Sequence, residues 1–230
     1  TQGVTDTSVK LGSHTDLSGP LAIGGVPATV AAQIRFAAAN AAGGVHGRQI
    51  ELVVEDTQYQ VPLAVRATNK LVQEDKVFAI FHSVGTQQGL ATIPIADKAG
   101  VPYIFPLTAA ASMAEPLHPL HFSYFVTYAN QASGAIRYFH EKEKFSSLCM
   151  QTHSTEYGEE NRRGMEAVAK ELGIEVKLVG THKPTDTEFA GAATAIKNAG
   201  CEFVYLGTTI KDTIALYATL RKLGYEGTIA

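Results

Sequence analysis

The chain has 230 residues, 45% of them hydrophobic, which is enough for one large domain or two lobes and excludes disorder as its overall state. With 19 Lys+Arg against 22 Asp+Glu the net charge is -3, so no general attraction to nucleic acid or anionic lipid is expected. The longest apolar runs, such as Val77-Phe78-Ala79-Ile80-Phe81, fall far short of the ~20 residues that span a bilayer.

In chain order, Val9-Lys10-Leu11-Gly12-Ser13 reads as a first strand. Residues 25–42 follow as a helix, with Val26, Val30, Ile34, Ala37 and Ala41 at helical spacing and Gly43-Gly44 as its stop. Ile50-Glu51-Leu52-Val53-Val54 is the second strand, and the next helix carries Pro62 in its first turn, where a missing N–H costs nothing. Residues 77–81 form a third strand, apolar on both faces as a central parallel strand is. A helix over 86–99 and a strand over 101–105 complete a βαβαβαβ series.

A Pro- and His-rich stretch, Glu115-Pro116-Leu117-His118-Pro119-Leu120-His121, precedes a second series. Its strands are expected at 124–126, 147–150, 176–179 and 203–206, and its helices at 130–141 and 159–172, then around Phe189, Ala193 and Ile196, and around Ile214, Tyr217 and Ala218. Such recurring units predict an α/β fold of two lobes, each a parallel sheet flanked by helices, divided as 1–118 and 119–230. Gly227-Thr228-Ile229-Ala230 reads as a turn and the opening of a strand, so a C-terminal truncation is expected. Thr1-Gln2-Gly3-Val4-Thr5-Asp6 has no basic or apolar leader, so any export signal has been removed or never existed.

Ligands of open α/β sheets bind beyond the carboxyl ends of the strands, where helix N–H groups favour anions. The first exit, Thr15-Asp16-Leu17-Ser18-Gly19-Pro20 with Gly24-Gly25, lacks GxGxxG spacing and a P-loop lysine, so an ordinary turn is favoured over a nucleotide site. The second, His82-Ser83-Val84-Gly85-Thr86, places a hydroxyl where an N-cap belongs. Thr86 either caps its own helix, a contribution of ~1 kcal/mol, or also holds a ligand carboxylate. The third, Pro106-Leu107-Thr108-Ala109-Ala110-Ala111-Ser112, offers backbone groups and a hydroxyl among small side chains.

Catalytic patterns are thin: the chain has no GxSxG, HExxH or paired CxxC, and its eight histidines are scattered. His118 and His121 are separated by Pro119, so surface histidines are expected there rather than a metal site, and no cofactor is expected anywhere. Glu159-Glu160 and Arg162-Arg163 read as a solvated helix face. His82, ending a buried strand, must find a partner or face a cleft. Cys149 and Cys201 are expected to be buried free thiols. A bridge between neighbouring strands is the alternative, against which their register as parallel neighbours speaks.

The runs Ile50-Glu51-Leu52-Val53-Val54-Glu55-Asp56-Thr57-Gln58, Glu74-Asp75-Lys76-Val77-Phe78-Ala79-Ile80 and Ala99-Gly100-Val101-Pro102-Tyr103-Ile104 resemble the periplasmic solute-binding proteins of branched-chain amino-acid ABC transporters. Leu17-Ser18-Gly19-Pro20 and Glu156-Tyr157-Gly158 are similar to the same family, and the resemblance runs from about residue 8 to 230. It implies a hinged type 1 periplasmic binding protein that takes its ligand between two lobes and is read by a membrane permease. It also implies a periplasmic location, and final strands returning to the first lobe beyond Ala230.

By position, the resemblance puts Thr86 at the carboxylate anchor, with Gly85 and Thr108 beside it, and Val84 and Leu107 at backbone contacts. Tyr157 falls at a second-lobe aromatic contact and Thr209 at another second-lobe contact. Three positions depart from the family: His82 replaces a usual Gly, Ala109 replaces a hydroxyl residue that helps hold the ligand ammonium, and Gly24 stands where amino-acid binders tend to carry an aromatic ring. An ammonium buried without acceptors costs several kcal/mol. The loss of that hydroxyl argues against a plain α-amino acid, so an aromatic or aliphatic acid lacking the amine competes closely with the expected branched-chain or related amino acid. A ligand-sensing receptor domain is a further alternative role, and a Rossmann-like enzyme is the rival class.

Overall fold

The first sheet grows outward from β1 (Ser8–Thr15), whose last five residues are all buried. The computed structural model describes residues 1–230 and divides into two units, Thr1–Phe125 and Val126–Ala230. In the first, β1 is followed by α1 (Ala22–Ala41), β2 (Gln49–Asp56), α2 (Val61–Asn69), β3 (Ala79–Phe81), α3 (Thr86–Lys98), β4 (Tyr103–Ile104) and β5 (His121–Phe122). The strands are all parallel, in the order β2-β1-β3-β4-β5. Pro at the start of α2 fixes the entry of that helix, and Ala64, Ala67 and Thr68 are its buried residues.

Three expectations change here. Val77 is not in the third strand: its N–H turns back to the Leu71 carbonyl at 3.1 Å, and its methyl groups pack where Gly12 leaves room on β1. Residues 124–126 are not a strand either. The pairing residues are His121 and Phe122, in register with Tyr103 and Ile104, so the segment after 118 stays with the first unit and the division falls after Phe125. The helical stripe of α1 points outward: Val26, Val30 and Ile34 are exposed, the last at 65%, and Gly25 is the one buried residue of the helix. Phe36 turns inward instead, against Phe81 at 5.4 Å. At 20 residues α1 is long and apolar enough to cross a membrane by length and composition. It is also the crossover between two strands paired from Ser8↔Gln49 to Thr15↔Asp56, which ties both its ends to one sheet.

The second unit contains α4 (Tyr128–Glu143), β6 (Ser147–His153), α5 (Glu156–Leu172), β7 (Glu175–His182), α6 (Ala190–Ala199), β8 (Phe203–Gly207), α7 (Ile210–Lys222) and β9 (Thr228–Ile229). Its parallel order is β7-β6-β8-β9, and every residue of the central β6 is buried. Leu148 and Met150 point to one face with Ile136, Met165 and Val168 from α4 and α5. Cys149 points to the other with Ile196, Leu216 and Leu220 from α6 and α7. This alternation is the two-faced burial that separates a parallel sheet from a half-solvated antiparallel one.

Cys149 and Cys201 are joined in a disulfide with Cα atoms 5.7 Å apart, which overturns the free-thiol expectation. Cys201 precedes its strand. It follows Gly200, a left-handed cap of α6, and drops onto the sheet face to which Cys149 points. The strand register pairs Cys149 with Val204 and so does not bear on the bond.

Helices α4 and α5 meet through Gly164, where an added Cβ would lie 2.2 Å from the Ala129 carbonyl oxygen. Gly164→Ala is expected to destabilise by ~1–3 kcal/mol, because backbone must move to admit the methyl. Alanine's better helix propensity offsets at most about 1 kcal/mol of that. A thermal melt showing no loss would refute the close approach.

Candidate functional site

Strand order reverses direction between β1 and β3, so the crevice of the first unit opens at the carboxyl ends of these two strands. On the β1 side, the loop after Thr15 is filled by its own carboxylates. Asp16, fully buried, accepts from Gly19 N–H at 2.5 Å and Leu21 N–H at 2.7 Å, and Asp56 accepts from Leu17 N–H at 2.9 Å and the Ser18 hydroxyl at 2.5 Å. Carboxylates holding these N–H groups leave no cradle for a phosphate, in keeping with the expected turn. Gly24 lies in the first turn of α1 with open space where a Cβ would point.

The β3 exit is built more tightly. His82 takes a positive φ of 59°, its ring stacks on Phe81 at 5.0 Å, and burial pulls its pKa below the ordinary histidine value. It faces a cleft of about 350 Å³ lined also by Phe105 and Tyr124. Val84 N–H then donates to the His14 carbonyl at 3.2 Å and Leu107 N–H to the Ser83 carbonyl at 2.7 Å, so the exits of β3 and β4 run side by side. Gly85, at φ 104°, is the N-cap of α3.

Thr86 therefore does not cap its own helix. It is the first helical residue, and no side chain caps the N-terminus. Its Oγ1 lies instead 2.7 Å from Oγ1 of Thr108, with both residues nearly inaccessible. Ala110 N–H donates to the same Thr108 hydroxyl at 3.3 Å, and Ala109 is buried beside it. Hydroxyls, small side chains and the unsatisfied first-turn N–H groups of α3 thus share one strand exit, an arrangement that suits an anionic oxygen.

Behind this exit lies a polar network that reading the chain does not find. The Ser83 hydroxyl donates to the Tyr103 hydroxyl at 2.5 Å, and that oxygen lies 2.9 Å from Nε2 of the fully buried His14. Thr92 closes the group, 3.1 Å from His14 Nε2. Burial pushes the Tyr103 hydroxyl up to about 12 and brings His14 down to about 3. The network links β1, β3, α3 and β4 and so fixes the backbone that carries Ser83 to Thr86.

In the second unit the reversal falls between β6 and β8. Tyr157, in the first turn of α5, donates its hydroxyl to the Thr208 carbonyl at 3.2 Å and packs its ring against Tyr128 at 4.6 Å and His153 at 5.5 Å. Thr209 is the N-cap of α7, with its hydroxyl donating to Asp212 at 2.6 Å. A cleft of about 360 Å³ opens along this edge beside Thr152, His153, Ser154 and Thr181. On α5, Arg162 pairs with Glu159 and Glu166 and Arg163 with Glu156, as a solvated face does, but Glu160 is buried and so departs from the face expected of it, and Glu171 reaches across to Arg137 of α4.

The histidines are less scattered than expected. His118 and His121, instead of being held apart by Pro119, close a turn that brings their rings to 4.2 Å with Asp97 between them. His153 and His182 converge on Asp212, inside the second unit.

A family model described as periplasmic binding protein matches residues 8–230. Among curated proteins, the leucine-, isoleucine-, valine-, threonine- and alanine-binding protein of Pseudomonas aeruginosa is 26% identical over 87% of this chain and 53% of its own length. Among solved structures, a fatty acid ABC transporter substrate-binding protein from Thermomonospora curvata is 27% identical over 99% of this chain and 58% of its own, at a TM-score of 0.89. A branched-chain amino acid transporter substrate binding protein from Streptococcus pneumoniae, in complex with isoleucine, is 25% identical over 97% and 63%, at 0.84. The chain spans about half the length of the curated relatives it matches.

Proposed function

The chain belongs to the periplasmic binding protein family, and from that premise we propose that it binds a small carboxylate-bearing solute as the extracytoplasmic component of an ABC importer, with a membrane permease as partner. The observation that carries this is the Thr86–Thr108 hydroxyl pair at the N-terminus of α3. Released from capping, Thr86 is available to donate to a carboxylate that the helix N-terminus also favours. Val84, Gly85, Leu107 and Ala109 supply backbone around it, and Tyr157 and Thr209 are the second unit's proposed contributions.

The amino-acid binders among the relatives support a branched-chain amino acid as ligand. A specific observation favours the second reading, an aliphatic acid without the amine: Ala109 is buried and brings no side-chain oxygen for an ammonium, and one of the similar structures is named for fatty acids. Titration calorimetry with leucine, isoleucine and valine against their deaminated, straight-chain and aromatic acid counterparts decides between them. Binding of nucleotide or nicotinamide in place of any carboxylate would sink both and favour the enzyme reading. An extracytoplasmic location has support independent of the relatives, since a buried disulfide persists where the compartment is oxidising.

Thr86→Ala is expected to weaken binding of the best ligand by ~1.5–3 kcal/mol, the worth of a hydrogen bond to a charged group. Thr86→Ser should keep most of that affinity. Because Thr86 caps nothing, the stability cost should be about 1 kcal/mol, from the lost hydrogen bond to Thr108. Unchanged affinity in Thr86→Ala would move the anchor to Thr108 or Ser83.

A further inference from the structure

Three side chains from three elements of the second unit converge at the carboxyl edge of its sheet: His153 from the end of β6, His182 from the end of β7 and Asp212 from the first turn of α7. All three are buried, and their ligand-capable atoms lie within 4.8 Å of one another. Asp212 Oδ2 is 2.8 Å from His153 Nε2 and 3.4 Å from His182 Nε2. We propose that His153, His182 and Asp212 form a binding site for a divalent transition-metal ion of the Zn²⁺ type.

The donor set selects the ion class. Two imidazoles and one carboxylate suit Zn²⁺ and its neighbours in the first transition row, whereas Ca²⁺ and Mg²⁺ take oxygen cages. A tetrahedral Zn²⁺ holds its ligands about 2.0–2.1 Å away, so they stand roughly 3.3 Å from one another. The separations of 2.8 and 3.4 Å bracket that edge, so a small adjustment of the rings admits the ion. Three protein ligands leave a coordination position open, and His153 lines the cleft beside Ser154 and Thr181.

Outer partners are in place for His182 and Asp212, and the His153 ring is free to change tautomer. His153 Nδ1 has no hydrogen-bond partner, so only Asp212 holds that ring's proton on Nε2, and the proton can reside on Nδ1 when Nε2 binds metal. On His182, Nδ1 lies 3.1 Å from the Gln151 side-chain amide, and turning that amide offers its oxygen to an Nδ1–H. The Thr209 hydroxyl donates to Asp212 Oδ2 at 2.6 Å and orients the carboxylate. The cluster of Asp97, His118 and His121 has the same residue types but is only partly buried, with His118 Nδ1 3.8 Å from Asp97, and serves as the internal control.

The test is equilibrium dialysis of the protein against Zn²⁺, with Co²⁺ as a spectroscopic substitute, in the unsubstituted chain and in an Asp97→Asn background. One tightly held Zn²⁺, a visible Co²⁺ spectrum of low coordination number and a Zn²⁺-dependent rise in Tm are expected in both. Gln151→Leu should weaken binding about 10–100-fold, as loss of an outer partner does. Asp212→Asn and His182→Gln should weaken it further. Absence of bound Zn²⁺ in the Asp97→Asn protein overturns the site, and this variant, outside the buried cluster, makes that outcome readable even if the buried ones do not fold. Binding that survives both Asp212→Asn and His182→Gln in folded protein overturns it equally, and would leave the cluster a hydrogen-bonded strut.

Discussion

Replacing Cys149 and Cys201 together with alanine is expected to lower the unfolding free energy of the second unit by about 4 kcal/mol. The bond closes a loop over a sequence separation of 52, and the chain-entropy relation for a closed loop of that length sets the figure. It is an upper value, since a denatured chain that retains structure has less freedom to lose. Both sulfur atoms lie in the core formed with Ile196, Leu216 and Leu220, so the alanines add a small packing loss to the entropic one. Denaturant unfolding of the oxidised protein and of the double variant measures the difference. A loss under about 1 kcal/mol would show that the cross-link restrains little in the unfolded chain. Reduction of the native protein should produce nearly the same change as the substitution, which separates the bond from the packing.

The order of elements was legible because burial on both faces of a parallel strand leaves a continuous apolar run, and because the crossovers repeat. What the chain alone concealed depends on atoms brought together from distant positions. The disulfide is one case: strand register argued against it, yet Cys201 reaches Cys149 from a loop, by way of the left-handed Gly200. The outward face of α1 is another, since helical spacing defines a stripe without saying what it meets. At the candidate site, residue types and position pointed to the strand exit at 83–86, but the role of Thr86 turned on one residue. Gly85, at φ 104°, occupies the cap, and Thr86 is thereby turned toward Thr108. His14 gave no signal, because a polar residue in a strand of mixed composition looks alike whether it faces solvent or a buried network. His153, His182 and Asp212 are spaced so far along the chain that only the parallel order β7-β6-β8 brings them together.

The stability of the protein should fall as pH drops from about 6.5 toward 3, at up to about 1.4 kcal/mol per pH unit from His14 alone. His14 is fully buried with the neutral hydroxyls of Tyr103 and Thr92 at its Nε2, and burial holds its pKa at about 3 against 6.5 for an unperturbed ring. Below pH 6.5 the unfolded chain takes up a proton that the native state refuses. The sign is therefore that of a depressed native pKa: full stability above the unfolded value, progressive loss below it. His82, half-buried and also lowered, adds in the same direction. Carboxylates enter only nearer pH 4, so urea unfolding between about pH 7 and pH 5 isolates the histidines. His14→Gln removes the titrating ring while keeping an amide for the Tyr103 hydroxyl, and should reduce the slope by up to about one proton in that window. The variant should be less stable than the native protein at pH 7 and lose less on acidification. An unchanged slope would mean that His14 is protonated in the folded state, and that the network behind Ser83 and Thr86 carries a charge.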